Sequence, residues 1–238
     1  MQRVVGKCLK YRLCNARPCE QITAPLPSVR VDPCLPHFSS VGVDYFGSIL
    51  VKLRRSQVKR YGCVFTCLAI RAVHIEIAHD LTTDSFIQAF SRFVSRQGPP
   101  IEVFSDNGTN FRGAETEIKT ALEKWNPDRI DNCLKTRGIK CNFNPPHASH
   151  AGGVWERMIR SIRRILRALL GSQFVDDETL LTLMGEVEKI LNDRPLTPPT
   201  SDSKDPEPLT LSKLLLLRPN VCVPPVESDA VHVYGSKR

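Results

Sequence analysis

Residues 39–78 string together three β-type runs with only short connections, and this limits the possible folds more than any other feature of the chain. SSVGVDYFGSILVKL (39–53) is rich in Val, Ile and aromatic residues, the composition of a strand. RRSQVKR (54–60) reads as a polar, basic turn, and YGCVFTCLAIRAVHIEIA supplies two more strands with a break near Arg71. Strands joined this closely predict an antiparallel meander, because parallel neighbours need a crossover of a dozen or more residues.

The period then changes. Leu81, Phe86, Ala89, Phe90, Phe93 and Val94 recur at helical spacing, Thr82 or Thr83 offers a cap, and Gly98-Pro99-Pro100 is a stop. IEVFSDNG is a short apolar strand entering an Asn-Gly turn. A helix over 114–125 and a brief strand over 141–144 follow. Helices over 153–170 and 177–193 come next, the second stopping before Pro195. The order βββ–α–β–α–β–α–α describes one α/β domain with helices packed around a mixed sheet. Three regions are expected: a basic, proline-rich extended remnant over 1–37, a core over 38–195, and a Pro-rich linker with a truncated C-terminal region over 196–238.

With 41% apolar residues the 238-residue chain has the make-up of a soluble globular protein. Its net charge of +8 and pI near 9.1 favour a polyanionic partner, since clustered Lys and Arg release counterions from phosphates. No apolar signal segment opens the sequence and no run approaches 18 apolar residues, so neither secretion nor a membrane span is expected. Nine cysteines, an odd number, suggest reduced thiols in the cytosol or nucleus.

Three acids stand in distinctive surroundings: Asp44 in VGVDYFG, Asp106 in VFSDNGTNF and Glu156 in SHAGGVWERMIR. Asp44 lies mid-strand, with Val41 and Val43 pointing one way and Gly42 and Asp44 the other. Asp disfavours extended pairing, so either an edge position facing water or a bound cation must offset its desolvation. Asp106 follows an apolar run; taken alone it reads as an Asx-turn, though the carboxyl end of a strand is also where ligands gather in open α/β sheets. Glu156 leads a line with Arg160, Arg163 and Arg167 on one helix face, beside the apolar stripe Trp155, Ile159, Ile162, Leu166 and Leu169. That line fits a solvated face with ion pairs, or a metal-holding carboxylate trailed by phosphate-gripping guanidiniums. Hard cations such as Mg²⁺ take carboxylate oxygens, and a pair of them can clamp the attacking and leaving oxygens of a phosphodiester. His147 and His150 are spaced like a ligand pair but lack a Cys pair at finger-like distance, so a loop or DNA-contacting role is expected.

Together VGVDYFG, DLTTDSFIQAFSRFVSRQGPP, VFSDNGTNFRGA, PPHASHAGGVWERMIRSIRRIL and LNDRPLTP resemble the catalytic core of retroelement integrases. These are DD(E) recombinases of the ribonuclease H-like superfamily, and the resemblance is greatest to the Bel/Pao group of LTR retrotransposons. It covers residues 37–200 in the family's order. It implies a five-stranded mixed sheet flanked by helices on both faces, with Asp44, Asp106 and Glu156 holding two Mg²⁺ or Mn²⁺ ions. The implied activity is metal-dependent 3′-end processing and strand transfer, with element ends and target DNA as partners and assembly as a homo-oligomer. Arg160 and Arg163 match positions that contact the element's end, Thr109 matches one near the target strand, and the loop 145–153 matches a flexible active-site loop. The pattern departs from the family at the N-terminal zinc module. Tyr11 stands where a cysteine would follow Cys8, and Cys14 and Cys19 are wrongly spaced, so no structural zinc is expected. The alternative is a domesticated or decayed core that binds nucleic acid or protein without chemistry.

Overall fold

The computed structural model describes residues 30–31, 35–105, 126–143, 149–171, 174–197 and 208–217. Five strands form one sheet: β1 (Ser40–Leu53), β2 (Ser56–Cys67), β3 (Val73–Ala78), β4 (Glu102–Ser105) and β5 (Lys140–Phe143). Their spatial order is β3-β2-β1-β4-β5. The first three pair antiparallel, as the short connections demand, and β4 and β5 join parallel to β1. Among the described residues five helices flank the sheet: α1 (Thr83–Gln97), α2 (Pro127–Lys135), α3 (Ser149–Leu170), α4 (Asp177–Asn192) and α5 (Leu211–Leu216).

Alternation along β1 divides the interior in two. Val41, Val43 and Tyr45 join Phe65, Phe86, Phe90, Phe93 and Leu134 on the side of α1 and α2. Phe46 joins Val64, Ile75, Ile159, Ile162, Leu180 and Val187 on the side of α3 and α4. The Phe65 and Phe93 rings stack at 4.3 Å, adding aromatic contact to the area they bury. The α1 reading holds to its ends, with the Thr82 hydroxyl accepting from the Ser85 amide and Gly98 closing the last turn.

Four local differences from the sequence reading have physical causes. Residues 56–60 are strand, because β1 and β2 run on as a two-stranded ribbon beyond a register shift between Gly47 and Ile49. One face of that ribbon packs Val51, with Ile49 and Val58, against the core on the α3–α4 side, and only the other meets solvent and carries polar residues; the turn itself is only Arg54-Arg55, with Arg54 at φ 55°. Helix α2 was not read from the sequence, although Asn126 caps the Arg129 amide and Pro127 fills the first turn, the chemistry of a helix start. Helix α3 begins at Ser149, extending through Gly152-Gly153 at about 1 kcal/mol per glycine. Beyond 208 the chain returns to the domain: Leu196 N–H bonds Leu209 C=O, and Leu211 is fully buried in the α1-side core. The helix expected over 114–125 lies outside the described residues, as does most of 1–37.

Strand β3 is a sheet edge, and α4 covers it. Asn192 accepts from Val73 N–H at 2.9 Å and donates to Val73 C=O at 2.8 Å, while Glu188 accepts from Ile75 N–H at 2.9 Å. Two residues one helical turn apart thus occupy the hydrogen-bonding groups that an edge strand otherwise offers to another chain. Arg60 of β2 makes a bidentate pair with Asp177 at 2.7 and 2.9 Å, holding the first turn of α4.

His74 links the two helical layers at this edge. Its Nδ1 meets Glu188 at 3.2 Å and its Nε2 meets Glu76 at 3.0 Å; Glu76, 2% exposed, also accepts from Arg92 and Arg96. Burial alone lowers the imidazole's pKa, but hydrogen bonds and charge from Glu188 and Glu76 overcome this and raise it to about 9. A pKa raised above the unfolded value near 6.5 contributes stability that is fully present below that pH. This contribution is lost as pH rises through about 9. Thermal or urea unfolding between pH 6.5 and 9 should therefore show a loss of roughly 3 kcal/mol, and His74→Gln should flatten that slope.

Candidate functional site

Asp44 does not sit at an edge facing water. Strand β1 lies between β2 and β4, and Asp44 is 6% exposed on the α3 side of the sheet, opposite Val64. Its Oδ1 accepts the Tyr45 amide at 2.7 Å. A carboxylate taken this far out of water needs opposing charge or donors to remain ionised.

Helix α3 is brought to this strand by a specific contact. Gly42, two residues before Asp44 on the same face, lies under the Trp155 indole; a β-carbon there would come within 2.7 Å of Cζ3 and closer still to Cε3. Only glycine admits the ring. Val154, Trp155 and Leu68 form a small cluster with Phe104 of β4 packed against it. Trp155 is buried, and among the described residues its Nε1–H finds no hydrogen-bond partner. An unsatisfied buried donor costs about 1–3 kcal/mol, so ring packing rather than the N–H fixes this position. Glu156 is the next residue and is half-buried. The helix turn carrying it therefore overlies the stretch of β1 that carries Asp44.

The third strand of the arrangement ends at the same level. β4 runs parallel to β1 with Gly42 opposite Phe104 and Val43 opposite Ser105. Asp106, Thr109 and His147 lie outside the described residues, as does the side chain of His150. Among the described residues no three His, Cys, Asp or Glu side chains converge as a metal-binding group. Of the expected acids, Asp44 and Glu156 are brought to one face of the sheet. Both present carboxylate oxygens, the donor type that hard divalent cations take. The apolar stripe of α3 packs as read: Trp155, Ile159, Ile162 and Leu166 are buried and Leu169 is partly so. On the flank beside it Arg163 is half-buried, and Arg160 and Arg167 are exposed.

The positioning pair, Gly42 and Trp155, was not singled out from the sequence. The available signal was a residue without a side chain on the same strand face as Asp44, together with a large aromatic preceding Glu156. Neither becomes a contact until the helix is docked.

No family model matches the chain, and no curated protein sequence matches it. Solved structures do share its fold. A chain in the cryo-EM structure of simian T-cell lymphotropic virus intasome in complex with PP2A regulatory subunit B56 gamma matches with TM-score 0.52 and 13% identity, over 94% of this chain and 67% of that one. The HTLV-2 integrase catalytic core domain in complex with magnesium, in its dimeric form, matches with TM-score 0.47 and 18% identity, over 70% and 94% of the two chains. The catalytic core domain of BIV integrase matches with TM-score 0.48 and 16% identity, over 76% and 95%. At 13% identity the likeness to the intasome chain is one of fold alone, a five-stranded mixed sheet with flanking helices of the ribonuclease H-like type. No helix among the described residues is long and apolar enough to cross a membrane.

Gly42→Ala should destabilise the domain by about 1–3 kcal/mol, because the indole or the strand must shift. Adding Trp155→Leu should recover part of that loss, so the two changes will be non-additive in a double-mutant cycle followed by denaturant unfolding.

Proposed function

We propose that this chain is the core of an integrase-type polynucleotidyl transferase of the Bel/Pao kind, processing the 3′ ends of element DNA and joining them to target DNA. The observation that carries the reading is the buried Asp44 on a central strand beneath the helix turn of Trp155 and Glu156. The chain passes from Ser105, one residue along from Phe104 over the same cluster, directly into Asp106. The fold shared with a chain of the intasome structure supports the same reading at the level of architecture.

In this proposal Asp44, Asp106 and Glu156 hold two Mg²⁺ or Mn²⁺ ions. When bound, these would lower the pKa of the attacking oxygen and neutralise the leaving one. The chain's own residues do the rest. The indole of Trp155 keeps bulk water from the floor beneath Asp44, and the fixed docking of α3 keeps Glu156 at that floor instead of free in solvent. Arg160, Arg163 and Arg167 follow Glu156 along the helix, where forked guanidiniums suit phosphates of a bound strand. Thr109 is assigned to the target strand, and several copies of the chain act together on the element's ends. No nucleophilic Ser or Cys is required, because the attacking oxygen belongs to water or to a DNA 3′-hydroxyl.

The test is Mn²⁺-dependent cleavage and strand transfer on a duplex bearing the element's ends. Loss of a residue that merely supports a metal ligand costs about 10–100-fold, so Asp44→Asn, Asp106→Asn and Glu156→Gln should each lose about 100-fold or more while still binding DNA. Chelation with EDTA should abolish wild-type activity. Equal activity in wild type and Glu156→Gln contradicts the assignment of that residue. A wild type that binds DNA but performs no chemistry supports the non-catalytic alternative.

A further inference from the structure

Three elements meet beside the Trp155 cluster, and each brings an arginine. Arg71 sits in the turn between β2 and β3 at φ 62°, Arg157 follows Glu156 on α3, and Arg194 follows the last turn of α4. The Arg194 guanidinium ties the junction together, donating to Arg71 C=O at 2.7 Å and to Met158 Sδ at 3.3 Å. The pKa of Arg30 is lowered by burial and by the charge of Arg71 and Arg157; burial and Arg71 do the same to Arg194. No carboxylate among the described residues pairs with any of the four. Elsewhere the same chain pairs Arg60, Arg92, Arg96 and Arg129 with acids at 2.5–2.7 Å.

Like charges brought together and partly desolvated oppose folding unless something anionic joins them. A guanidinium has five N–H donors, and among the described residues the donations from Arg194 leave most of its fork unused. Forked guanidiniums converging from three elements match the spread oxygens of successive phosphodiesters better than a single carboxylate.

We propose that Arg71, Arg157 and Arg194, with Arg30, form a phosphate-gripping patch that holds a nucleic-acid strand across the β2–β3 turn and leads it to the Asp44–Glu156 centre. The patch includes Arg157, two turns into α3, and is distinct from the line Arg160, Arg163 and Arg167, which runs on along that helix. The inference rests on the proposed action on DNA, but concerns binding and does not need the chemistry to succeed.

The experiment is titration of a short fluorescent DNA duplex at several NaCl concentrations, comparing the slope of log affinity against log salt. Each phosphate contact contributes about 0.9 to that slope. Arg71→Asn with Arg157→Gln should reduce its magnitude by about 2, and Arg157→Gln alone by about 1. Asn is chosen at 71 because it tolerates the left-handed backbone, and Arg157 is exposed, so that single change tests the patch even if the pair unfolds. Arg54→Asn with Arg55→Gln removes the same charge at the tip of the β1–β2 ribbon and should leave the slope near wild type. Arg71→Lys with Arg157→Lys should retain it.

If the patch pair behaves like the ribbon pair while Arg160→Gln weakens binding, the inference fails and the DNA-directed reading stands. A wild type with no salt-dependent DNA binding overturns both. If the patch changes weaken binding to polyglutamate but not to DNA, the ligand is an acidic peptide and the nucleic-acid assignment is wrong.

Discussion

The indole of Trp155 resting on the bare backbone of Gly42 decides where α3 crosses the sheet, and the position of the acidic centre follows from it. A helix can slide along a sheet face at little cost when every contact is a generic aliphatic one. A large ring fitted over a residue with no side chain cannot slide, because both neighbouring positions on that strand face are filled. On β1 the next residues on this face are Asp44 and Phe46, and Phe46 in turn lies over Gly62 of β2. Large rings on glycines therefore mark both ends of the stretch that holds Asp44. The helix register set by Trp155 then carries Glu156 and the arginines after it.

The remaining interactions keep α3 and α4 from drifting as a unit. Glu188 and Asn192 bind the edge of β3, Arg60 holds Asp177, and Arg194 connects the end of α4 to the β2–β3 turn and to Met158 of α3. Each is directional, and all but the exposed Arg194–Arg71 bond are at least partly buried, so each fixes geometry as well as contributing stability. Charge is unevenly distributed along this side. At the sheet edge acids and bases neutralise one another around His74, whereas near Trp155 no ion pair holds Arg71, Arg157 or Arg194 among the described residues. A basic chain that balances its charges in one place and concentrates them in another has the electrostatics of a polyanion binder.

Much of this architecture is written in local pattern. The meander, α1 with its Thr82 cap, and the apolar stripe of α3 follow from alternation, helical spacing and capping chemistry acting over a few residues. The ribbon strand at 56–60 escaped because one of its inward positions is the charged Arg60, paired with Asp177, which hides the alternation begun by Val58, and α2 because nine residues give too short a pattern. Asp44 could be read as a ligand or as a solvated edge residue until its strand was seen to be central. The Gly42–Trp155 contact and the arginine junction are not local at all. They bring together residues separated by tens to more than a hundred positions, and no short-range signal encodes them.

The most direct measurement is anomalous X-ray diffraction from crystals soaked in MnCl₂. The account predicts manganese peaks bounded by Asp44, Asp106 and Glu156, with carboxylate oxygens of all three within about 2.5 Å of bound metal. Peaks held by other residues, or Asp44 and Glu156 facing different ions far apart, would contradict it.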